Sequence, residues 1–173
     1  GDESARAEAR RLLALALLYD DKGDEASILA LEAIRIARAA GSKRETALAE
    51  LALAEIYRAR GDYTAGLKHA ARARNLAERS GDARTHAAVL SDYALLLSRV
   101  GDDERAREAF DILLAIPLAA VTRVRALRVL YNAAMAHRAA GRFDLALRIL
   151  DRAEELPASK GASGAEWTIT SAR

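Results

Sequence analysis

Residues 41–62 read GSKRETALAELALAEIYRARGD, a helix-length segment that begins at one glycine and ends just after another. Glycine can end a helix in the left-handed conformation at no steric cost, and Ser or Asp after it can accept from the free N–H groups of the next helix. Ser42 and Glu45 also have the spacing of a capping box. The apolar residues between the glycines lie at helical spacing, at Leu53, Ala54, Ile56 and Tyr57. The stretch therefore predicts one helix with a turn at each end.

The same turn signal recurs along the chain. Glycine falls on a grid of 20 residues and is followed each time by Asp, Ser or Arg, at Gly41, Gly61, Gly81, Gly101 and Gly141. Gly23 with Asp24 repeats the signal two residues off the grid, and we interpret this glycine as the first turn. Pro117 supplies the missing turn near 121, and Pro157 repeats it 40 residues later, since proline cannot continue a helix interior.

These signals predict eight helices in four antiparallel pairs, at residues 4–22, 25–40, 43–60, 63–80, 83–100, 103–115, 119–140 and 143–156. The apolar spacing agrees, for example at Leu12, Leu15, Ala16 and Tyr19, and again at Leu90, Tyr93, Ala94 and Leu97. A continuous coiled coil is the alternative, but a glycine at every twentieth residue would interrupt its heptad seam.

The composition suits such a helical chain. A length of 173 residues fits one domain or one short repeat array, and the hydrophobic share of 51% is mainly Ala and Leu, which favour helices. No stretch has the roughly 18 uninterrupted apolar residues of a membrane span. The polar N-terminus does not resemble a secretory signal, although a leader could have been removed. The absence of Cys fits a reducing compartment, so we expect a cytoplasmic protein.

The charge is almost balanced overall but changes along the chain. The net charge is +2 in total, with −2 in residues 1–50, 0 in 51–120 and +4 in 121–173. Nucleic-acid binding would favour a dense basic stripe interleaved with stacking aromatics. Arginines are instead mixed with Asp and Glu, and one tight basic group is present, Arg123, Arg125 and Arg128. We therefore predict no nucleic-acid partner.

The sequence lacks the residues that most catalytic and metal sites need. Its three histidines, His69, His86 and His137, are far apart, and Cys is absent. The glycines precede Asp, Ser or Arg rather than the Gly-Lys-Ser/Thr of a phosphate loop. His137 falls at a core position of the last helix pair and is interpreted as a packed histidine. We predict no enzyme activity, no cofactor and no metal site.

Large and small residues recur at matching positions in three of the helix pairs. The second pair has Leu53, Ala54, Tyr57, Tyr63 and Ala73, the third has Ala94, Leu97, Ala106 and Phe110, and the fourth has Ala134, Phe143, Ala146 and Ala153. This pattern resembles the tetratricopeptide repeat (TPR), in the longer variant of about 40 residues found in kinesin-light-chain-like and Pins-like adaptors and in bacterial signalling regulators. It departs from the family at Glu50, Gly66 and His137. When the first pair is aligned with this pattern, it is two residues shorter than the other pairs between Tyr19 and Ala33.

The resemblance implies an all-α, right-handed superhelix of four repeats, at about 4–41, 42–81, 82–117 and 118–157. One helix pair cannot bury its apolar face alone, so neighbouring pairs would share a core within a repeat domain of residues 1–157. The family holds proteins or peptides in a concave groove lined by the first helix of each pair. We therefore expect a non-catalytic scaffold or adaptor with a protein or peptide partner. Two alternatives stay open: the effector-binding sensor segment of a larger signalling ATPase or transcription regulator, and a self-assembly module that binds its own tail.

In the family's register, four residues of each first helix line the groove. If the residue fourteen before the turn glycine is position 1, they stand at positions 2, 5, 9 and 12. They are Arg10, Leu13, Leu17 and Asp20 in the first repeat, Leu48, Leu51, Glu55 and Arg58 in the second, Ala88, Ser91, Leu95 and Ser98 in the third, and Arg128, Tyr131, Met135 and Arg138 in the fourth. Leu13 and Leu17 occupy the places where a clamp for a C-terminal carboxylate needs Lys and Asn, so that specific function is not expected.

The fourth repeat is the predicted centre of binding, since Arg and Tyr form large directional contacts and Met adapts to apolar surfaces. The predicted peptide site comprises Glu55, Arg58, Arg99, Arg128, Tyr131, Asn132, Met135 and Arg138. An acidic or carboxyl end of the ligand should lie near the fourth repeat, and its apolar residues toward Leu51 and Leu13. The alternative is that Tyr131 and Met135 only pack against the neighbouring pair.

Residues 158–173 break the repeat pattern and are predicted to form a non-helical tail. The segment SKGASG is a polar spacer, and Trp167 and Ile169 lie in a β-prone stretch. We expect these two residues to anchor the tail. The tail could cover the last helix at Leu147 and Leu150, enter a neighbouring molecule's groove and so form a homo-oligomer, or be a non-native remnant.

Overall fold

The protein is entirely α-helical in the part of the chain that the computed structural model describes, which is residues 2–116, 123–154 and 156. The helices there are α1 (Asp2–Tyr19), α2 (Gly23–Ala39), α3 (Lys43–Ala59), α4 (Tyr63–Ser80), α5 (Ala83–Arg99), α6 (Asp103–Ala115), α7 (Arg123–Ala139) and α8 (Phe143–Glu154). The predicted all-α fold of antiparallel helix pairs is confirmed. From α2 onward, each of these helices begins 20 residues after the preceding one.

The predicted glycine turns are confirmed. The backbone φ angle is positive, between 66° and 81°, at all five glycines of the grid: Gly41, Gly61, Gly81, Gly101 and Gly141. A residue with a Cβ is strained in this conformation, whereas glycine is not. After four of these glycines the next side chain caps the following helix, at Ser42, Asp62, Asp82 and Asp102. Ser42, for example, accepts from the N–H of Glu45, and Asp62 accepts from that of Ala65. Turn and cap together end one helix and start the next.

The first turn differs from the prediction. Gly23 does not end a helix but begins α2, and the left-handed residue is Asp21, with a φ of 59°. Asp tolerates this conformation better than most residues with a side chain, and position 21 falls on the 20-residue grid. The first repeat therefore has the same length as the others, and the expected two-residue deficit was wrong. Gly23 leaves room for the side chain of Arg60, because a Cβ at position 23 would lie only 3.1 Å from Nε of that arginine.

The helices form two layers with different contacts. Each helix packs against the next along the chain, and the first helices of successive pairs also touch: α1 with α3, α3 with α5 and α5 with α7. Within the described ranges, the second helices do not pack against one another to a comparable degree. In a curved stack of repeats, the elements on the inner side lie closer together than those on the outer side. The first helices therefore make up the inner layer, on which the family's groove is expected.

Small residues set the spacing between the helices. Four fully buried alanines recur every 40 residues in the first helices: Ala14, Ala54, Ala94 and Ala134. In the second helices the matching column is Ala26, Gly66, Ala106 and Ala146. An added Cβ at Gly66 would lie only 3.1 Å from the carbonyl oxygen of Ala54, which shows how closely α3 and α4 approach there. This close approach explains why glycine replaces the family's usual alanine.

The core confirms the predicted apolar positions of the middle repeats but not those of α1. The confirmed core residues are Leu53, Ala54, Ile56, Leu90, Tyr93, Ala94 and Leu97. In α1, by contrast, Leu12 is exposed and Tyr19 has 85% of its surface exposed. The predicted face of α1 was wrong because it was counted from Gly23, which shifts the register by two residues. The residues of α1 that face the core are Ala7, Ala14, Leu17 and Leu18.

Some predictions concern residues outside the described ranges. They are the start of the seventh helix at 119, the turns at Pro117 and Pro157, and the tail anchors Trp167 and Ile169.

Candidate peptide-binding groove

The predicted stripe on α7 lies on the inner layer and is partly open. Tyr131 exposes 50% of its surface, and Arg128 and Arg138 are also exposed. Asn132 and Met135 are half-buried, and Met135 packs against the main core cluster, which includes Leu90, Phe110 and Leu130. Met135 therefore contributes to packing, as the alternative prediction had it, whereas Tyr131 stays accessible to a ligand.

The two arginines of this stripe differ in their surroundings. Nη2 of Arg128 lies 3.7 Å from Oδ1 of Asp92 on α5, and Asp92 is buried. Arg138, at the other end of the stripe, has no ion pair within the described part of the chain. A ligand carboxylate would therefore meet a partly neutralised cation at Arg128 and an unpaired one at Arg138.

The second and third repeats place three more predicted site residues on the inner helices. Glu55 and Arg58 are three residues apart on α3, so they lie on one face of that helix, and both are half-buried. Nε of Arg58 is buried without a hydrogen-bond partner among the described residues. Arg99 is exposed in the last turn of α5. These residues lie along α3, α5 and α7, which touch in that order.

Several predicted groove positions are covered by neighbouring helices. Leu51, Ala88 and Ser91 are almost fully buried, and Leu51 belongs to one core cluster with Ala88 and Val89 of α5. These positions fill the contact between successive first helices, although the family's register predicts open surface there. The prediction that the ligand's apolar residues reach Leu51 was therefore wrong.

The corrected first turn moves the groove positions of α1. Counted from Asp21, they are Glu8, Arg11, Leu15 and Leu18 rather than Arg10, Leu13, Leu17 and Asp20. Nη2 of Arg11 lies 3.7 Å from Oε1 of Glu8, and Nε of Arg11 is buried without a hydrogen-bond partner in the described ranges. Arg11 was not among the predicted groove residues, although the 20-residue grid, continued back to Asp21, includes it. The exclusion of a carboxylate clamp was based on Leu13 and Leu17. In the corrected register Arg11 and Leu15 take those places, so a leucine still stands where the clamp needs Asn.

A buried polar network joins α2, α3 and α4. Glu50 is only 1% exposed, and its carboxylate accepts from Nη2 of Arg38 at 2.6 Å and lies 2.8 Å from Nδ1 of His69. The His69 ring stacks on Tyr57, with 5.4 Å between the ring centroids. Both carboxylate oxygens thus have a partner, which offsets the cost of burying the charge. This pairing accounts for Glu50 at a position where the family usually has a bulky residue.

His137 is buried with little polar support. Its Nε2 lies 3.2 Å from Oδ1 of Asp111, but neither ring nitrogen makes a well-aligned hydrogen bond with any described residue. Burial lowers the pKa of His137, because the charged ring would lose its hydration, and this effect exceeds the opposite one of the Asp111 carboxylate. His137 therefore packs in the core as a neutral side chain, as the sequence predicted.

The described ranges contain neither a metal-binding cluster nor a membrane span. No group of three or more His, Asp and Glu side chains there is placed to hold a metal ion. None of the described helices is long and apolar enough to cross a membrane.

A stack of helix pairs whose first helices form one layer, with small residues at 40-residue intervals, defines a helical repeat protein. Residues 45–116 match the family model described as tetratricopeptide repeat. This match confirms the predicted resemblance to the tetratricopeptide repeat over these residues. Among curated proteins, none is significantly similar to the chain in sequence.

Solved structures have the same fold at low sequence identity. BtubC (BKLC) from P. vanneervenii matches with a TM-score of 0.74 at 18% identity, over 94% of this chain and 70% of that one. A Podosopora anserina putative kinesin light chain with nearly identical TPR-like repeats matches with a TM-score of 0.73 at 17% identity, over 91% and 79%. The apo form of RapI matches with a TM-score of 0.77 at 13% identity, over 90% of this chain and 43% of that one. The chain thus spans less than half of RapI, and these likenesses establish the fold alone.

Proposed function

We propose that the protein is a non-catalytic interaction module that holds an extended segment of a partner protein along the inner layer of first helices. Tetratricopeptide repeats generally mediate contacts between proteins. The observation that carries the proposal is one face of α7, where an exposed aromatic ring, a half-buried thioether and an unpaired cation follow one another at Tyr131, Met135 and Arg138. Tyr and Arg are the residue types that most often dominate binding energy at interfaces.

The charges on this layer favour a ligand whose acidic end lies at the fourth repeat. The planar guanidinium of Arg138 can form paired, charge-assisted hydrogen bonds with a carboxylate. Arg128 already shares its charge with Asp92, so a ligand carboxylate must compete with that contact. Arg138 is therefore the cation expected to contribute most.

The apolar part of the ligand is assigned to the first and second repeats. Leu15 on α1 and Leu48 on α3 occupy groove positions and keep part of their surface open. They take the place of Leu13, which lies outside the corrected register, and of Leu51, which is buried. A ligand that covers these leucines would gain from the hydrophobic effect at the end of the layer opposite to Arg138.

A second candidate function is effector binding within a larger regulator. A Rap protein complexed with Competence and Sporulation Factor has the same fold, with a TM-score of 0.75 at 18% identity, and this chain spans 43% of it. That likeness supports an array that holds a ligand inside a longer protein. Both candidates use the inner layer, and they differ in whether ligand binding changes the activity of another domain. A module that binds its own tail is the lesser alternative.

The groove is tested with peptides selected from a random display library on the full chain, with binding measured by calorimetry. We expect the double variant Arg128→Ala, Arg138→Ala to weaken binding by about tenfold or more. Tyr131→Ala should weaken it even at high salt, where charge contacts are screened. Arg148→Ala is the matched control, because Arg148 is an exposed arginine on the second helix of the same repeat.

Two outcomes separate the parts of this proposal. If the double variant binds the selected peptides as well as Arg148→Ala does, the peptides bind outside the inner layer and the proposed groove is wrong. If the groove variants weaken binding but the selected peptides carry no acidic end, the groove stands and the proposed ligand polarity is wrong.

A further inference from the structure

A pocket of about 390 Å³, open to solvent, lies between the last turn of α2, the first turn of α3 and the second half of α4. Three cationic side chains line it, Arg38, Lys43 and Arg72. Ser42, Thr46 and Asn75 add hydroxyl and amide groups, and none of the lining residues is acidic. The cavity shares no residue with the predicted groove on α7, so a ligand of the cavity is independent of the proposed function.

The positive charge of this cavity is only partly compensated. Nη2 of Arg38 donates to Oε1 of Glu50 at 2.6 Å, so the buried carboxylate holds that guanidinium at the cavity wall. Lys43 and Arg72 are exposed and have no ion pair with any residue that the structure describes. Two unpaired cations and one anchored guanidinium therefore face a space that contains no carboxylate.

The first turn of α3 fixes one side of the cavity. The Thr46 hydroxyl donates to the carbonyl oxygen of Ser42 at 2.7 Å, and the Ser42 hydroxyl accepts from the N–H of Glu45 at 3.2 Å. On the opposite side, Asn75 of α4 is exposed and offers both a carbonyl oxygen and an amide donor. The polar groups of the cavity thus combine a fixed wall with side chains that can adjust to a ligand.

We propose that this cavity binds a small phosphorylated molecule. Lys acts on phosphate as a compact charge and Arg as a paired donor, so Lys43 and Arg72 suit phosphate oxygens. A phosphate monoester carries a charge of about −1.5 to −2 at neutral pH, which matches the two unpaired cations. The volume falls within the range of about 300–1,000 Å³ that small-molecule sites usually have, which leaves room for the organic part beside Leu76.

A compact anion fits this arrangement better than a macromolecule. The three cations come from three different helices and line the same pocket. A row of cations along one helix would instead suit an extended acidic segment. No aromatic side chain lines the cavity, so it lacks the stacking surface that nucleic-acid sites use.

The test titrates the full chain with glycerol 3-phosphate and with inorganic pyrophosphate at a physiological ionic strength of about 0.15 M, using calorimetry and amide NMR shifts. We expect saturable binding at one site, with shifts concentrated in residues 38–46 and 72–76. Lys43→Gln and Arg72→Gln should each weaken binding by about tenfold or more. Arg79→Gln makes the same charge change on an exposed residue of α4 outside the cavity and should weaken binding by less than about twofold.

Three results would overturn the proposal. The first is a lack of saturable binding of either phosphate compound. The second is equal weakening by Lys43→Gln, Arg72→Gln and Arg79→Gln, which would indicate attraction to net charge rather than to a site. The third is tighter binding of a tetraglutamate peptide than of either phosphate compound, which would assign the cavity to an acidic protein segment.

Discussion

The second and fourth repeats place equivalent residues in different surroundings. Leu51 on α3 and Tyr131 on α7 hold the same groove position, yet Leu51 is buried against α5 whereas Tyr131 is half exposed. Tyr63 and Phe143 begin the second helices, and Tyr63 packs against the main core cluster whereas Phe143 is exposed. The third repeat covers the second, and no described helix follows the fourth. Among the described helices, the second repeat is therefore covered and the fourth is not.

This difference bears on the kind of partner that the fourth repeat suits. In the second repeat, the surface around the equivalent residue Leu51 is covered by residues of α5 such as Ala88 and Val89. A surface of this kind can therefore accept a helix or an extended chain. That supports the proposal of a protein segment as the ligand.

The largest expected difference between the two repeats is in stability after truncation at the shared position. Leu51→Ala should lower the free energy of unfolding by about 2–4 kcal/mol, because it leaves a cavity between α3 and α5. Tyr131→Ala should change it by about 1 kcal/mol or less, because half of the side chain is already exposed. Urea unfolding followed by circular dichroism measures both values. Equal losses would mean that Tyr131 is covered in the folded protein, and the contrast between the repeats would then be lost.

The fold was predictable because its signals are local. A left-handed glycine and the Asp that caps the next helix act within a few residues of each other, as at Gly61 and Asp62. The first turn escaped prediction because Asp21 adopts the left-handed conformation without glycine, while the nearby Gly23 gave a competing signal. That single error moved the predicted core and groove of α1 by two residues.

The candidate site was less predictable, because exposure and pairing depend on helices that are distant in the sequence. The register places Leu51 and Ser91 correctly on their helices but does not show that neighbouring helices cover them. The contact of Arg128 with Asp92 joins two repeats, as does the cavity between α2 and α4. Such features depend on how the helix pairs stack, which a repeat pattern specifies only approximately.

An intermediate effect is expected from the polar network of the second repeat. Glu50→Gln removes the charge that Arg38 and His69 face, and it should lower the free energy of unfolding by about 1–2 kcal/mol. The loss is smaller than for a fully buried ion pair, because 59% of the Arg38 side chain is exposed and can be hydrated. Glu50→Leu is the matched variant and should cost less than Glu50→Gln, because an apolar side chain fills the site without an unpaired polar group. If Glu50→Leu instead costs more than Glu50→Gln, the hydrogen bonds that Gln can keep with Arg38 and His69 stabilise the repeat more than apolar filling does.

The smallest expected effect concerns His137, which stands in the fourth repeat where Tyr57 stands in the second. Tyr57 stacks on His69, whereas the nitrogens of His137 are buried without well-aligned hydrogen bonds to described residues. Burial lowers the folded-state pKa of His137 below its ordinary value of 6.5, so the unfolded chain binds more protons than the folded one as the pH falls. The stability that neutral His137 contributes is therefore fully present above about pH 6.5 and is lost as the pH falls from there toward the folded-state pKa.

His137→Leu tests this assignment, because Leu17 and Leu97 occupy the same position in α1 and α5. The variant should gain about 0.5–1 kcal/mol at neutral pH, since it removes two buried nitrogens that lack good partners. Its melting temperature should also fall less than that of the wild type between pH 7.5 and pH 5.5. The other two histidines are the same in both proteins, so any effect of theirs cancels in the difference. Equal falls in melting temperature would mean that the attraction of Asp111 for a charged His137 offsets the cost of burying that charge. The buried polar residue of the fourth repeat would then be stabilised as fully as Glu50 is in the second.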